Sequence, residues 1–161
     1  MEETSFCFTK LGLASDHAGK ELKADLLLFL REQGFDPIDY GVSADSNGRV
    51  DYPDYAAQLA AAISEKKIEA GIAICGTGIG MSIVANKFKG VRATCVWDEF
   101  TARMSRAHND ANVLCLGARL LTSHRARDFL KIWLSTSFAG DQHKKRLEKI
   151  EKLEKKLLNS R

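Results

Sequence analysis

The sequence predicts an α/β sandwich in which helices cover both faces of a parallel sheet. Short apolar runs bounded by glycine alternate with stretches of helical period, and most of the runs are too apolar for a sheet with one wet face. A length of 161 residues, 45% of them hydrophobic, suits one domain with its own core.

Residues 10–15 form the first strand. A helix over 19–33 follows, because Leu22, Leu26, Phe29 and Leu30 recur at helical spacing and Gly34 supplies a stop signal. The second strand, 37–40, leads into a long loop over 43–52, marked by Asp45, Asn47 and Gly48 with Pro53 close behind. Loops of that length often carry function. A helix at 55–66 precedes the third strand, 71–75. Then come a helix at 80–88, a strand at 91–97, a helix at 99–107, a strand at 113–116 and a helix at 124–135. Residues 143–158 form a charged C-terminal helix with Leu147, Ile150, Leu153 and Leu157 on roughly one face. That stripe packs either on its own domain or on a second copy as an exchanged arm. A single domain over 1–161 is expected, with residues 1–9 as an N-terminal extension.

With 24 basic and 21 acidic side chains, the net charge of +3 is too mild to imply nucleic-acid binding. Cys7, Cys75, Cys95 and Cys115 form no CxxC pair and no zinc-type spacing with histidine, and a reduced, cytoplasmic setting is expected. The opening Met1-Glu2-Glu3-Thr4-Ser5 is acidic and leads into no long apolar run, so neither a secretory signal nor a membrane span is expected.

Ligands of open parallel sheets bind beyond the carboxyl ends of the strands. Here the first strand runs into Ser15-Asp16-His17-Ala18-Gly19, the third into Cys75-Gly76-Thr77-Gly78-Ile79-Gly80, and the fifth into Gly117-Ala118-Arg119. Three glycines at alternate positions let backbone N–H groups cradle an anion where a helix begins. A thiol there ionises easily, and its thiolate serves as a base or a nucleophile. A buried strand cysteine, with glycines for close helix packing, fits the same residues. Asp16 and His17 offer a carboxylate for hydroxyls and an imidazole for a phosphate or a proton; Asp16 also suits a helix N-cap. His108 ends a helix beside Asn109 and Asp110, which are able to fix its tautomer or a ligand hydroxyl, although a lone histidine there is more often structural. Arg119, and Arg146 with Lys144 and Lys145, suit a dianionic phosphate. Cys95, Cys115, Trp97 and Trp133 read as packing residues.

Nucleotide motifs do not fit. Met81 stands where the dinucleotide fingerprint needs Gly or Ala, and Gly19-Lys20 is followed by Glu21 rather than by Ser or Thr. Ala73 and Thr77 replace the flanking glycines of a hydrolase nucleophile elbow.

Taken together, Ser15-Asp16-His17-Ala18-Gly19, Asp51-Tyr52-Pro53, Ile74-Cys75-Gly76-Thr77-Gly78-Ile79-Gly80-Met81-Ser82, Ala85-Asn86-Lys87 and His108-Asn109-Asp110-Ala111-Asn112-Val113-Leu114 resemble ribose-5-phosphate isomerase type B. That group also includes galactose-6-phosphate isomerase subunits. The resemblance spans nearly the whole chain. It implies a Rossmann-like three-layer α/β/α fold with a five-stranded parallel sheet and a C-terminal helix used in dimerisation. It implies a homodimer or dimer of dimers with the active site at the subunit interface, and interconversion of ribose 5-phosphate and ribulose 5-phosphate without metal or organic cofactor. By that resemblance Cys75 is the base that shuttles the proton between C2 and C1, Thr77 sits beside the thiol, and His108 assists opening of the furanose ring. The loop amides of Gly76, Gly78, Ile79 and Gly80 face the enediolate oxygen. Asp16 and Asn109 hold the open-chain hydroxyls, Tyr52 adds a contact, and His17, Arg119 and Arg146 grip the phosphate.

Some members use a glutamate later in the loop; Gly80-Met81-Ser82 has none, which favours Cys75. The family often has an arginine four residues before Arg146, where this chain has Gln142. A six-carbon substrate such as galactose or allose 6-phosphate is the alternative within the class. Outside it stand a non-catalytic sugar-phosphate-binding module and a cysteine hydrolase.

Overall fold

The computed structural model describes residues 6–43 and 45–159; Met1 to Ser5, on which the expectation of no secretory signal rests, lie outside the described residues. The elements run β1 (Leu11–Ser15), α1 (Lys20–Glu32), β2 (Ile38–Asp39), α2 (Tyr52–Ser64), β3 (Ala70–Cys75), α3 (Ile79–Ala85), β4 (Ala93–Cys95), α4 (Glu99–Ala107), β5 (Val113–Gly117), α5 (Ser123–Ser135) and α6 (Asp141–Leu158). Among the described residues the sheet has five strands, all parallel, in the order β2-β1-β3-β5-β4. This is the α/β sandwich that the alternating pattern predicts.

Every residue of β1, β3 and β5 is buried, because helices lie on both faces, and that burial produces their uninterrupted apolar runs. Successive side chains alternate between the faces. Leu13, Ile72, Ile74, Leu114 and Leu116 join Leu26, Leu30, Phe129 and Trp133 under α1, α4 and α5. Ala14, Ala73, Cys75, Val113 and Cys115 face Leu59, Ile63 and Met81 under α2 and α3. Each large side chain buried this way contributes about 1.5–3 kcal/mol. Phe8 closes the first face, stacked 5.2 Å from Trp133 and covered at 4.4 Å by the Arg106 guanidinium.

Helix α1 buries the stripe read from its spacing and stops where Gly34 turns back at φ +86°. Several boundaries differ from expectation for local reasons. Helix α2 begins at Tyr52 and takes in Pro53, because proline is tolerated in a first turn; the long loop therefore ends at Asp51. Helix α3 stops at Ala85 rather than near Phe88, and Asn86 leaves the helix to bond the sheet edge. Its amide donates to the Ala93 carbonyl at 2.8 Å and accepts from the Ala93 N–H at 2.9 Å, as a neighbouring strand would. Strand β4 is correspondingly short. Trp133 is wholly buried, but Trp97 does not pack as expected: it is 62% exposed at the carboxyl edge of the sheet.

Helix α6 starts two residues early, at Asp141, and packs on its own domain at several points along its length. The Ala139 N–H donates to the Ala107 carbonyl at 2.9 Å, Leu147 is buried, and the Gly90 N–H donates to Glu154 Oε1 at 2.9 Å. Beyond Leu147 the stripe opens. Ile150, Leu153 and Leu157 stay exposed along a groove of about 540 Å³ shared with Val91, Ala93 and Thr94.

Candidate active site

Three strand ends converge on a cavity of about 200 Å³. Strand β1 brings Asp16 and His17, β3 brings Cys75, Gly76 and Thr77, and the turn after β5 brings Arg119; Tyr52 and Gly80 close it from α2 and α3. The register explains the convergence. Cys75 sits opposite Gly117 and Ser15 opposite Ile74, so all three strands end at one level. Two backbone bonds tie the loops together, from Ala118 N–H to the Cys75 carbonyl at 2.8 Å and from Arg119 N–H to the Gly76 carbonyl at 3.1 Å.

Cys75 is 5% exposed, and its Sγ accepts the Gly78 N–H at 3.1 Å. The three alternate glycines answer three different demands. Gly78 turns the chain at φ +81°, and a Cβ there would lie 3.1 Å from Leu116 backbone. At Gly76 a Cβ would meet the Arg119 guanidinium at 3.2 Å, and at Gly80 it would press the Tyr52 ring at 2.6 Å. The loop is bare so that Arg119 and Tyr52 lie against it. Gly78 and Ile79 do not themselves line the cavity: Gly78 is buried with its amide on the thiol, and the Ile79 side chain is exposed.

Asp16 is not the helix cap; Gly19 holds that position. The Asp16 Oδ1 instead accepts from the N–H groups of Ala18 at 2.9 Å and Gly19 at 3.1 Å, which keeps this buried carboxylate at the cavity wall. His17 is clasped by the long loop, its Nδ1 lying 3.0 Å from the Val50 carbonyl. In the tautomer that donates to that carbonyl, Nε2 is left for a ligand. Lys20 Nζ ties the same loop at the Ser46 carbonyl, 3.0 Å away.

His108, Asn109 and Arg146 are not brought to this cavity. His108 and Asn109 precede β5, so they lie at the amino end of the sheet, level with Gly71 rather than Cys75. The four residue steps between those levels span roughly 13 Å. Asp110 does not fix the His108 tautomer either; its carboxylate bridges Arg92 and Arg106 at 2.9 and 2.7 Å. Arg92 Nε also holds the Asn109 carbonyl at 3.1 Å, so the turn is built from both sides.

Two features escaped sequence reasoning. His143 of α6 stacks on His108, with ring centroids 4.0 Å apart and planes 11° from parallel. Burial, then the charges of His108 and Arg146, push its pKa down, with Asp141 opposing. His143 precedes Leu147 by one turn, so extending the apolar stripe would have found it. The second is a thiol pair across β4 and β5. Hydrogen bonding to Cys115 pulls half-buried Cys95 down to about 6 against the opposing effect of burial, with Ser82 helping, while wholly buried Cys115 moves up. Among the described residues no cluster of three metal-ligating side chains occurs, and no helix is long and apolar enough to cross a membrane.

The fold is a doubly wound α/β sheet whose strand ends set a thiol beside a carboxylate, an imidazole and a guanidinium, at the level where folds of this class bind small molecules. The chain belongs to the ribose/galactose isomerase family, whose model matches residues 11–150. It is 40% identical over 147 residues to ribose-5-phosphate isomerase B of Escherichia coli strain K12, covering 91% of this chain and 97% of that one. The Clostridium thermocellum ribose-5-phosphate isomerase B structure superposes with a TM-score of 0.89 at 44% identity, over 92% of this chain and 99% of that one. The Mycoplasma genitalium enzyme, solved with bound ribulose-5-phosphate, gives 0.86 at 38% identity, over 91% and 97%.

Proposed function

We propose that the protein interconverts ribose 5-phosphate and ribulose 5-phosphate through an enediolate, with Cys75 as the base and His108 supplied by a second copy of the chain. The observation that carries this reading is the split between two half-sites. Cys75, Asp16, His17, Thr77 and Arg119 share one cavity, while His108, Asn109 and Arg146 lie toward the other end of the same sheet.

In this reading His108 carries the C1-hydroxyl proton to O4 as the C1–O4 bond breaks, which opens the furanose. The Cys75 thiolate then removes the proton from C2 and returns it at C1, while the hydroxyl proton passes from O2 to O1, so that the C1 carbonyl becomes a hydroxyl and C2 becomes the carbonyl. The Gly78 N–H steadies the sulfur's charge when the proton is away. Asp16 and the second copy's Asn109 hold hydroxyls, Tyr52 flanks them, and His17, Arg119 and the second copy's Arg146 take the phosphate. In this reading the amides of Gly76 and Gly80, residues that line the cavity, face the enediolate oxygen as it develops charge.

A two-fold axis that seats the amino end of one sheet over the carboxyl end of the other completes two identical sites at once. Exposed Ile79, Ile83, Trp97 and Phe100 near one half-site, and the open α6 stripe near the other, favour such a homodimer with α6 in its interface. Each copy acts as one isomerase unit. Its four free cysteines suit the reduced cytoplasm.

The test is turnover by the purified protein of ribose 5-phosphate, galactose 6-phosphate and allose 6-phosphate. Ribose 5-phosphate is expected to react fastest, and Cys75→Ala to lower that rate by about 10²–10⁴-fold while the ligand still binds. No turnover of any of the three would sink the isomerase reading, and a near-normal Cys75→Ala rate would put the base elsewhere.

A further inference from the structure

His143 is an expensive residue where it stands. It is 8% exposed, and its Nδ1 is buried without a hydrogen-bond partner among the described residues, an arrangement that stability alone disfavours. An apolar side chain would fill the place at less cost, so the imidazole calls for another account.

That account lies in what it touches. Arg92 and Arg106 fix the backbone of the turn after His108 through Asp110, but among the described residues no hydrogen bond reaches the His108 ring itself. The face of His143 lies nearly parallel to that ring, with centroids 4.0 Å apart, and a stacked face resists rotation of the ring out of its plane. We propose that His143 is a positioning residue that holds the His108 imidazole in the orientation needed for proton transfer to the sugar ring. This rests on the isomerase reading above. The stacked partner must add no charge of its own, and the groups facing His143 see to that. Burial, His108 of α4 and Arg146 of α6 disfavour its protonated form, opposed only by Asp141 of α6.

Ribulose 5-phosphate separates ring chemistry from the base. Its C5 oxygen carries the phosphate, so it closes no furanose, and exchange of its C1 hydrogen with deuterated solvent needs only the Cys75 step. His143→Ala, His143→Phe and His143→Leu are compared by ribose 5-phosphate turnover and by this exchange, followed by proton NMR. His143→Ala should lose about tenfold in turnover while its exchange stays within about twofold of the parent. His143→Phe, which keeps a flat face, should recover most of the loss; His143→Leu, which fills the space without one, should not. Parent-like turnover in His143→Ala, an equal loss of exchange, or Phe no better than Leu would each overturn the proposal. Should His143→Ala fail to fold, the Phe and Leu pair still decides. A parent protein that turns over no sugar phosphate would instead sink the isomerase reading on its own.

Discussion

Replacing Gly78 by alanine tests the link between backbone geometry and the thiol. At φ +81° an alanine costs about 1–2 kcal/mol that glycine does not. Its Cβ would also lie 3.1–3.2 Å from backbone atoms of Cys115 and Leu116, closer than the roughly 3.5–4.0 Å of an unstrained carbon contact. Those atoms belong to β5 at the centre of the fold and yield little, which adds about 1 kcal/mol. The sum, roughly 2–3 kcal/mol, lowers the melting temperature by about 4–12 °C in a chain of this size. Relief comes only by moving the loop, which pulls the Gly78 N–H off the Cys75 sulfur. Losing a hydrogen bond to a charged acceptor costs about 1.5–3 kcal/mol, so turnover should fall about 10- to 100-fold. Thermal unfolding and steady-state kinetics read both effects. A Gly78→Ala protein with unchanged melting and unchanged turnover would refute the reasoning.

Gly80→Ala should behave differently: the Tyr52 ring it displaces is half-exposed and free to swing, so stability should move by less than about 1 kcal/mol while KM rises. An unchanged KM would mean that Tyr52 does not touch the substrate. Iodoacetamide modification of Cys95, followed by peptide mass spectrometry, should rise through a midpoint near pH 6 and be nearly as fast at pH 7 as at pH 9. A midpoint above pH 8 would contradict the lowering of the Cys95 thiol by Cys115. Folding lowers the proton affinity of His143, so the unfolded chain takes up a proton that the folded one resists. Stability should therefore fall as pH drops below about 6.5, and His143→Phe should flatten that loss in melting curves recorded across pH.

Much of the fold was legible because burial on both faces writes itself as apolar runs; β1, β3 and β5 show this best. Where tertiary contacts override local signals, the reading slipped. Pro53 looks like loop punctuation but sits in a first turn, and Asn86 looks helical but serves the sheet edge. The strand ends pointed to the cavity, and Asp16, His17, Cys75 and Arg119 meet there. His108 and Asn109 belong to the opposite end because a helix that returns over a parallel sheet ends where the next strand begins. Trp97 read as packing since nothing in one sequence tells a buried aromatic from one left at an edge.

The central claim, that base and ring-opening group come from different copies, is tested most directly by mixing two inactive variants. Cys75→Ala and His108→Asn proteins are dissociated together and allowed to reassociate. Random pairing makes half of the dimers mixed, each with one intact site, so about a quarter of parental activity should return. Activity no higher than that of the two variants kept apart would contradict the shared site.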